Sequence, residues 1–91
     1  MAYIIRHMGE MFRFENVIIR VWSHDHNPPH VEAYWPSMKR PEAHAKFRLD
    51  TLECFECEGF SKQDIKRIQE ELKKRHAKLW EGWRQIHGQE D

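Results

Sequence analysis

The hydrophobic pattern of this chain changes period once, near Ser61. Upstream, Val17, Ile19 and Val21 fall on one side and Ile18, Arg20 and Trp22 on the other, while Val31, Ala33 and Trp35 oppose Glu32 and Tyr34 until Pro36 stops the run. The clearest alternation sets Ala43, Ala45, Phe47 and Leu49 against Glu42, His44, Lys46 and Arg48. A period of two with β-branched enrichment is a strand pattern, with one face dry and the other wet. Phe12 and Phe14 read as a short earlier strand that turns tightly at Glu15-Asn16. Thr51 to Cys57 is either one more strand or an irregular lead into the next element.

Downstream, Ile65, Ile68, Leu72, Leu79, Trp83 and Ile86 follow three-and-four spacing, with His76 filling the gap in the stripe. That is the period of an amphipathic helix. Ser61 is its N-cap, Asp64 completes a capping-box variant, Phe60 staples onto Ile65, and Gly88 is a C-terminal stop. Glu70 with Lys74 and Glu71 with Arg75 support the solvent face. About 25 residues at roughly 1.5 Å each give a helix on the order of 37 Å. The expected fold is α+β: three or four antiparallel strands over about 10–57, packed against one long C-terminal helix at about 61–87. The stripe is too short, and has a histidine in its seam, for a strong coiled coil, so it is expected to pack on the chain's own sheet; a homodimer is the lesser alternative.

A chain of 91 residues holds one domain, 1–91. Leu, Ile, Val and Phe supply only 19 of those residues, so with four Trp the core is expected to be lean and aromatic. Met1 to Phe14 lacks the apolar run and cleavage site that export requires, and no stretch approaches the roughly 18 apolar residues of a membrane span. A soluble cytoplasmic protein with no membrane association is the expectation. Cys54 and Cys57 are the only cysteines, too few for a secreted disulfide framework, and are read as reduced structural thiols. Three positions apart on a strand they face opposite sides, which argues against joint chelation.

The unusual segment is His24-Asp25-His26-Asn27-Pro28-Pro29-His30-Val31-Glu32. The prolines restrict Asn27 to extended geometry and stiffen the loop, which is a candidate for a cis bond. His30 and Glu32 are two apart on a strand and share a face. Two readings stand. In one, His24, His26, His30 and Glu32 hold a divalent metal or act as acid–base groups, since imidazole is the commonest transition-metal ligand and a carboxylate completes or orients the set. In the other, the polar side chains satisfy the backbone around a rigid turn that presents a binding surface. The spacing matches no strict zinc signature, and no metal is assigned.

The formal net charge is zero, yet it is unevenly spread. Residues 1–60 carry −2, residues 61–86 carry +4 and residues 87–91 carry −2. Lys62, Lys66, Arg67, Lys73 and Lys74 on the helix are therefore candidates for phosphate contact, with Arg20, Lys46 and Arg48 extending the basic surface from the sheet. Trp22, Tyr34 and Trp35 would stack on bases if they faced outward, but in so lean a core at least two are expected inside. Mixed charges on a long helix are also what simple solvation produces.

The run DHNPPHVEAYW, the alternating AKFRLD strand and the closing LWEGWRQIHG resemble a small prokaryotic family catalogued as domain of unknown function 4160, over roughly residues 10 to 87. The resemblance centres on D-H-x-P-P-H-x-H, met by Asp25, His26, Pro28, Pro29 and His30, with Glu32 in place of the last histidine. It implies a small cytoplasmic α+β protein whose gene lies beside another short reading frame, in the manner of a toxin–antitoxin module, and it assigns no catalytic residue. The leading expectation is therefore a binding or regulatory component whose partner is the product of that neighbouring gene, or RNA or DNA. A small metal-dependent hydrolase or ribonuclease built on the histidine-rich loop is one alternative, and a self-associating structural module is another.

Overall fold

A computed structural model describes residues 10–21 and 29–87 of the chain. In order they form β1 (Glu10–Phe14), β2 (Val17–Val21), β3 (His30–Trp35), β4 (Ala43–Arg48), β5 (Cys54–Glu58), α1 (Lys62–Lys74) and α2 (His76–His87). The strands make one antiparallel meander in the order β1-β2-β3-β4-β5. The α+β class and the antiparallel sheet agree with the alternation. The sheet has five strands, however, where three or four were expected, and the single long helix is two.

Alternation decides which way each strand faces. Val17, Ile19 and Val21 of β2, Val31 and Ala33 of β3, and Ala45 and Phe47 of β4 meet Leu49 and the helical Ile68, Leu72 and Leu79 in one buried cluster. Among the described residues this core is chiefly aliphatic, with Phe47 its one fully buried aromatic ring, where an aromatic core was expected. Phe12, Phe14, Phe60, Trp80 and Trp83 pack around its margin. Trp35 is exposed, Tyr34 is half-buried, and Trp22 lies outside the described residues.

The β1–β2 connection is the tight turn expected at Glu15-Asn16. Both residues have positive φ, 48° and 66°, as a two-residue hairpin turn of type I′ requires. At Trp35–Pro36 the peptide is cis. Pro28, His24, Asp25, His26 and Asn27 lie outside the described residues, as does Gly88.

The helix is interrupted where it crosses a short sheet. Strands of five or six residues span roughly 17–20 Å, so a straight helix on the order of 37 Å would overhang them. The interruption falls at Arg75 (φ −117°, ψ 24°), whose N–H reaches back to Leu72 O at 3.1 Å and tightens the last turn of α1. Two side chains pin the break to the sheet: the His76 ring donates to Leu49 O at 2.5 Å, and the Arg75 guanidinium lies 4.3 Å from the centre of the Phe12 ring. Glu71 accepts from Arg75 at 2.8 Å and from Lys74 at 3.4 Å, so Lys74 pairs with Glu71 and not with Glu70.

The start of α1 is the reciprocal box read from the sequence. Asp64 N–H donates to Ser61 Oγ and Ser61 N–H donates to Asp64 Oδ2, both at 3.0 Å. Ser61→Ala removes one of these bonds and is expected to cost about 1 kcal/mol, a drop of roughly 4–8 °C in Tm for a domain of this size. A thermal melt followed by circular dichroism checks it, and an unchanged Tm would show the cap to be idle.

Candidate functional site

The helices cover one face of the sheet, and the other face carries the titratable residues. On β3 the period of two brings His30, Glu32 and Tyr34 to this face, and the antiparallel register sets them in rows across the sheet. Glu32 lies directly between Arg20 on β2 and Lys46 on β4, His30 is opposite Arg48, and Tyr34 is between Ile18 and His44. The next strand continues the pattern, with Glu56 opposite Lys46 and Glu58 opposite His44. Sign alternates along the Glu32 row, from arginine to glutamate to lysine to glutamate.

Glu32 is the centre of this lattice and is only 2% exposed. Burial pushes its carboxyl pKa up, but the His30 imidazole, with Nε2 3.7 Å from Oε2, the Tyr34 hydroxyl that donates to Oε1, and the charge of Lys46 together outweigh it. The carboxyl is held below its ordinary range and stays ionised. Around it, the Tyr34 and His44 rings stack with centroids 6.2 Å apart, and His44 reaches Glu56 at 3.6 Å and Glu58 at 3.8 Å. Lys46 pairs with Glu56 at 3.6 Å, Arg48 forms a double hydrogen bond to Asp50 at 2.9 and 2.7 Å, and the buried Arg20 donates to Met38 Sδ at 3.5 Å. Phe55 meets His30 edge-on, centroids 5.4 Å apart.

His30 and Glu32 thus converge as their spacing predicted. His24, Asp25, His26, Asn27 and Pro28, the rest of the candidate loop, lie outside the described residues, and Pro29 leads directly into β3. Among the described residues, no three His, Cys, Asp or Glu side chains come together in a way that holds a metal ion. Tyr34 and His44 belong to the site although sequence reasoning did not place them there. For Tyr34 the signal was available, since 30, 32 and 34 are in phase; His44 enters only through the register of β4.

The basic residues do not form one surface. Lys62, Lys66, Arg67, Lys73 and Lys74 belong to α1, on the helix side, whereas Arg20, Lys46 and Arg48 are on the opposite face of the sheet. The expected extension of the helix patch by sheet residues is corrected by strand phase alone. Two of the helical cations are already engaged, Arg67 with Glu15 and Lys74 with Glu71, while Lys66 and Lys73 line a shallow groove that also contains Asp50 and Glu70.

Cys54 and Cys57 need a second correction. The register passes from Phe47–Cys54 to Lys46–Glu56, leaving Phe55 as an extra residue, and then to Ala45–Cys57. This bulge puts both cysteines in phase with Phe47 and Ala45 on the helix side, instead of on opposite faces. Both are free thiols, with Cys54 Sγ 3.4 Å from Glu56 O and Cys57 Sγ 3.7 Å from Phe60 O. Burial pushes the Cys54 thiol pKa up, which keeps it protonated.

A five-stranded antiparallel meander with two helices on one face and, on the other, a charge lattice whose centre is buried defines a small α+β domain. The chain belongs to the family described as domain of unknown function (DUF4160), which matches residues 16–84. The match lies a little inside the span expected from the motifs and takes in Pro29, His30, Glu32 and every strand from β2 onward. Comparison with curated proteins finds no match, nor does comparison with solved structures. Among the described residues, no helix is long and apolar enough to cross a membrane.

Proposed function

We propose that this protein is a non-enzymatic binding module that docks a protein partner, the product of a neighbouring small gene in a toxin–antitoxin-like pair, on the polar face of its sheet. The observation that carries this reading is the row of alternating charge, Arg20, Glu32, Lys46 and Glu56, that the strand register sets across the sheet. A carboxyl acting as general acid near neutral pH needs a raised pKa, whereas that of Glu32 is lowered and its charge is balanced inside the lattice. Such a lattice supplies a stiff surface of mixed sign, and mixed sign is what steers and registers a protein partner. A nucleic-acid backbone would meet Glu56 and Glu58 on the same face. His44, Lys46 and Glu56, which stay partly exposed beside the buried Glu32, would be the contact groups.

The test is calorimetric titration of the purified chain with the product of the adjacent small gene. The expected result is a saturable complex that Lys46→Glu weakens at least tenfold, because the reversed charge opposes the partner's complementary one. Absence of a complex overturns the reading. So does tighter binding of RNA or DNA at low salt, which would transfer function to Lys62, Lys66 and Lys73 of α1. Bound metal in the purified protein, together with hydrolysis that is lost in His30→Ala, would instead favour the metal-dependent alternative. Reversible dimerisation in sedimentation, with no other partner, would favour self-association.

A further inference from the structure

At the end of the sheet remote from Pro29, on the helix side, Phe14, Trp35 and Phe60 wall a cleft of about 280 Å³ whose charged lining is Glu15, Asp64 and Arg67. Nothing in the proposed partner surface uses it. Its size is at the foot of the range for small-molecule pockets, roughly 300 to 1,000 Å³, and accommodates a single inserted side chain. Its chemistry narrows the choice. Aromatic faces are negative at their centres, and two carboxylates against one guanidinium leave the rim with one net negative charge.

The same edge of the sheet already displays the matching interaction. On β1, two residues from Phe14, the Phe12 ring carries the Arg75 guanidinium at 4.3 Å. Arg67, lining the cleft, pairs with Glu15. That pair is exposed on both sides, 47% and 60%, and pairs of this kind are worth little in water. An incoming cation therefore displaces Arg67 from Glu15 at small cost.

We infer that this cleft is an anchor site for an arginine side chain of a basic peptide segment, independent of the polar sheet face. The aliphatic stem lies against Trp35 and Phe14, and the guanidinium takes the Glu15 carboxylate that Arg67 now holds. Arg67 acts as an internal competitor, so its removal strengthens binding.

The experiment uses the full chain labelled with 5-fluorotryptophan, in which the Trp35 resonance is assigned from Trp35→Phe and followed by fluorine NMR. It is titrated with an acetylated, amidated pentapeptide containing one central arginine, and with the citrulline and leucine versions. The arginine peptide is expected to shift Trp35 saturably in the millimolar range or tighter. Arg67→Gln should tighten binding about tenfold and Glu15→Gln should weaken it about tenfold, the scale of one charge-assisted hydrogen bond. Opposite signs from the two halves of one ion pair are not produced by a structural role, and thermal melts of both variants exclude unfolding. The inference is overturned if citrulline or leucine binds as well as arginine, if both variants move affinity the same way, if a single-stranded oligoribonucleotide takes the cleft in preference, or if Trp35 does not respond. None of these outcomes depends on whether the neighbouring gene product binds.

Discussion

Replacing Glu32 with alanine should destabilise the fold by about 3–5 kcal/mol, the range found when one member of a buried ionic set is removed and its neighbours keep their charges. Glu32 is 2% exposed, Arg20 opposite it is also buried, and Lys46 lies on the other flank. Without the carboxylate the row Arg20–Glu32–Lys46 becomes two cations across a neutral gap, and the Tyr34 hydroxyl loses its acceptor. Glu32→Gln keeps an acceptor for Tyr34 and should cost less, about 1–3 kcal/mol, while Tyr34→Phe should cost about 1.5–3 kcal/mol because its bond is to a charged group. The sign of the pH effect follows from the lowered pKa. A carboxyl whose folded pKa lies below its ordinary 4.5 contributes its full stabilisation above that pH and loses it as pH falls through the folded value. The acid limb of the stability profile below about pH 4.5 should therefore flatten in Glu32→Gln. Urea melts at neutral pH and at pH 3 measure both effects. A loss below 1 kcal/mol in Glu32→Ala, or an unchanged acid limb, would mean that the lattice is solvated and the case for a stiff docking face fails.

How much of this was legible beforehand depends on whether phase or register carries the information. Phase is local, so Ala43, Ala45, Phe47 and Leu49 could be assigned to the core and His30 and Glu32 to one face from spacing alone. Register depends on loop lengths and hairpin geometry, and it is register that puts Arg20 and Lys46 beside Glu32 and brings in His44. Where the phase itself slips, the local signal misleads. The extra residue Phe55 interrupts the alternation of β5, which is why Thr51–Cys57 read equally well as an irregular lead and why Cys54 and Cys57 were assigned opposite faces. The helix break is hidden for the converse reason. Arg75 is neither glycine nor proline, and a one-residue interruption leaves Leu72 and Leu79 seven apart, in the same stripe as an unbroken helix. The break also shows why His76 occupies the gap in that stripe: its ring is spent on the Leu49 carbonyl.

Gly59→Ala should lower stability by about 2–5 kcal/mol, and two separable costs make up that figure. Gly59 joins β5 to the capping residue of α1 with φ at +89°, where an L-residue is strained by roughly 1–2 kcal/mol. A methyl group there would also stand 2.5 Å from Glu42 O and 2.8 Å from Ala43 Cα. Those are backbone atoms at the start of β4, which cannot turn aside as a flexible side chain can, so relief requires β4 and α1 to part. Overpacking of this kind costs roughly 1–3 kcal/mol. A second variant separates the terms, because asparagine tolerates positive φ yet carries the same Cβ. If the close approach dominates, Gly59→Asn and Gly59→Ala should lose nearly equal stability; recovery of most of the loss in Gly59→Asn would assign it to backbone strain alone. Since Ala43, Gly59 and Phe60 border the arginine cleft, displacement of β4 from α1 should also alter the environment of Trp35. Both substitutions are thus expected to shift the Trp35 fluorine resonance in the folded protein at low temperature, and an unshifted Trp35 together with a full loss of stability would show that the strain is absorbed elsewhere in the β5–α1 junction.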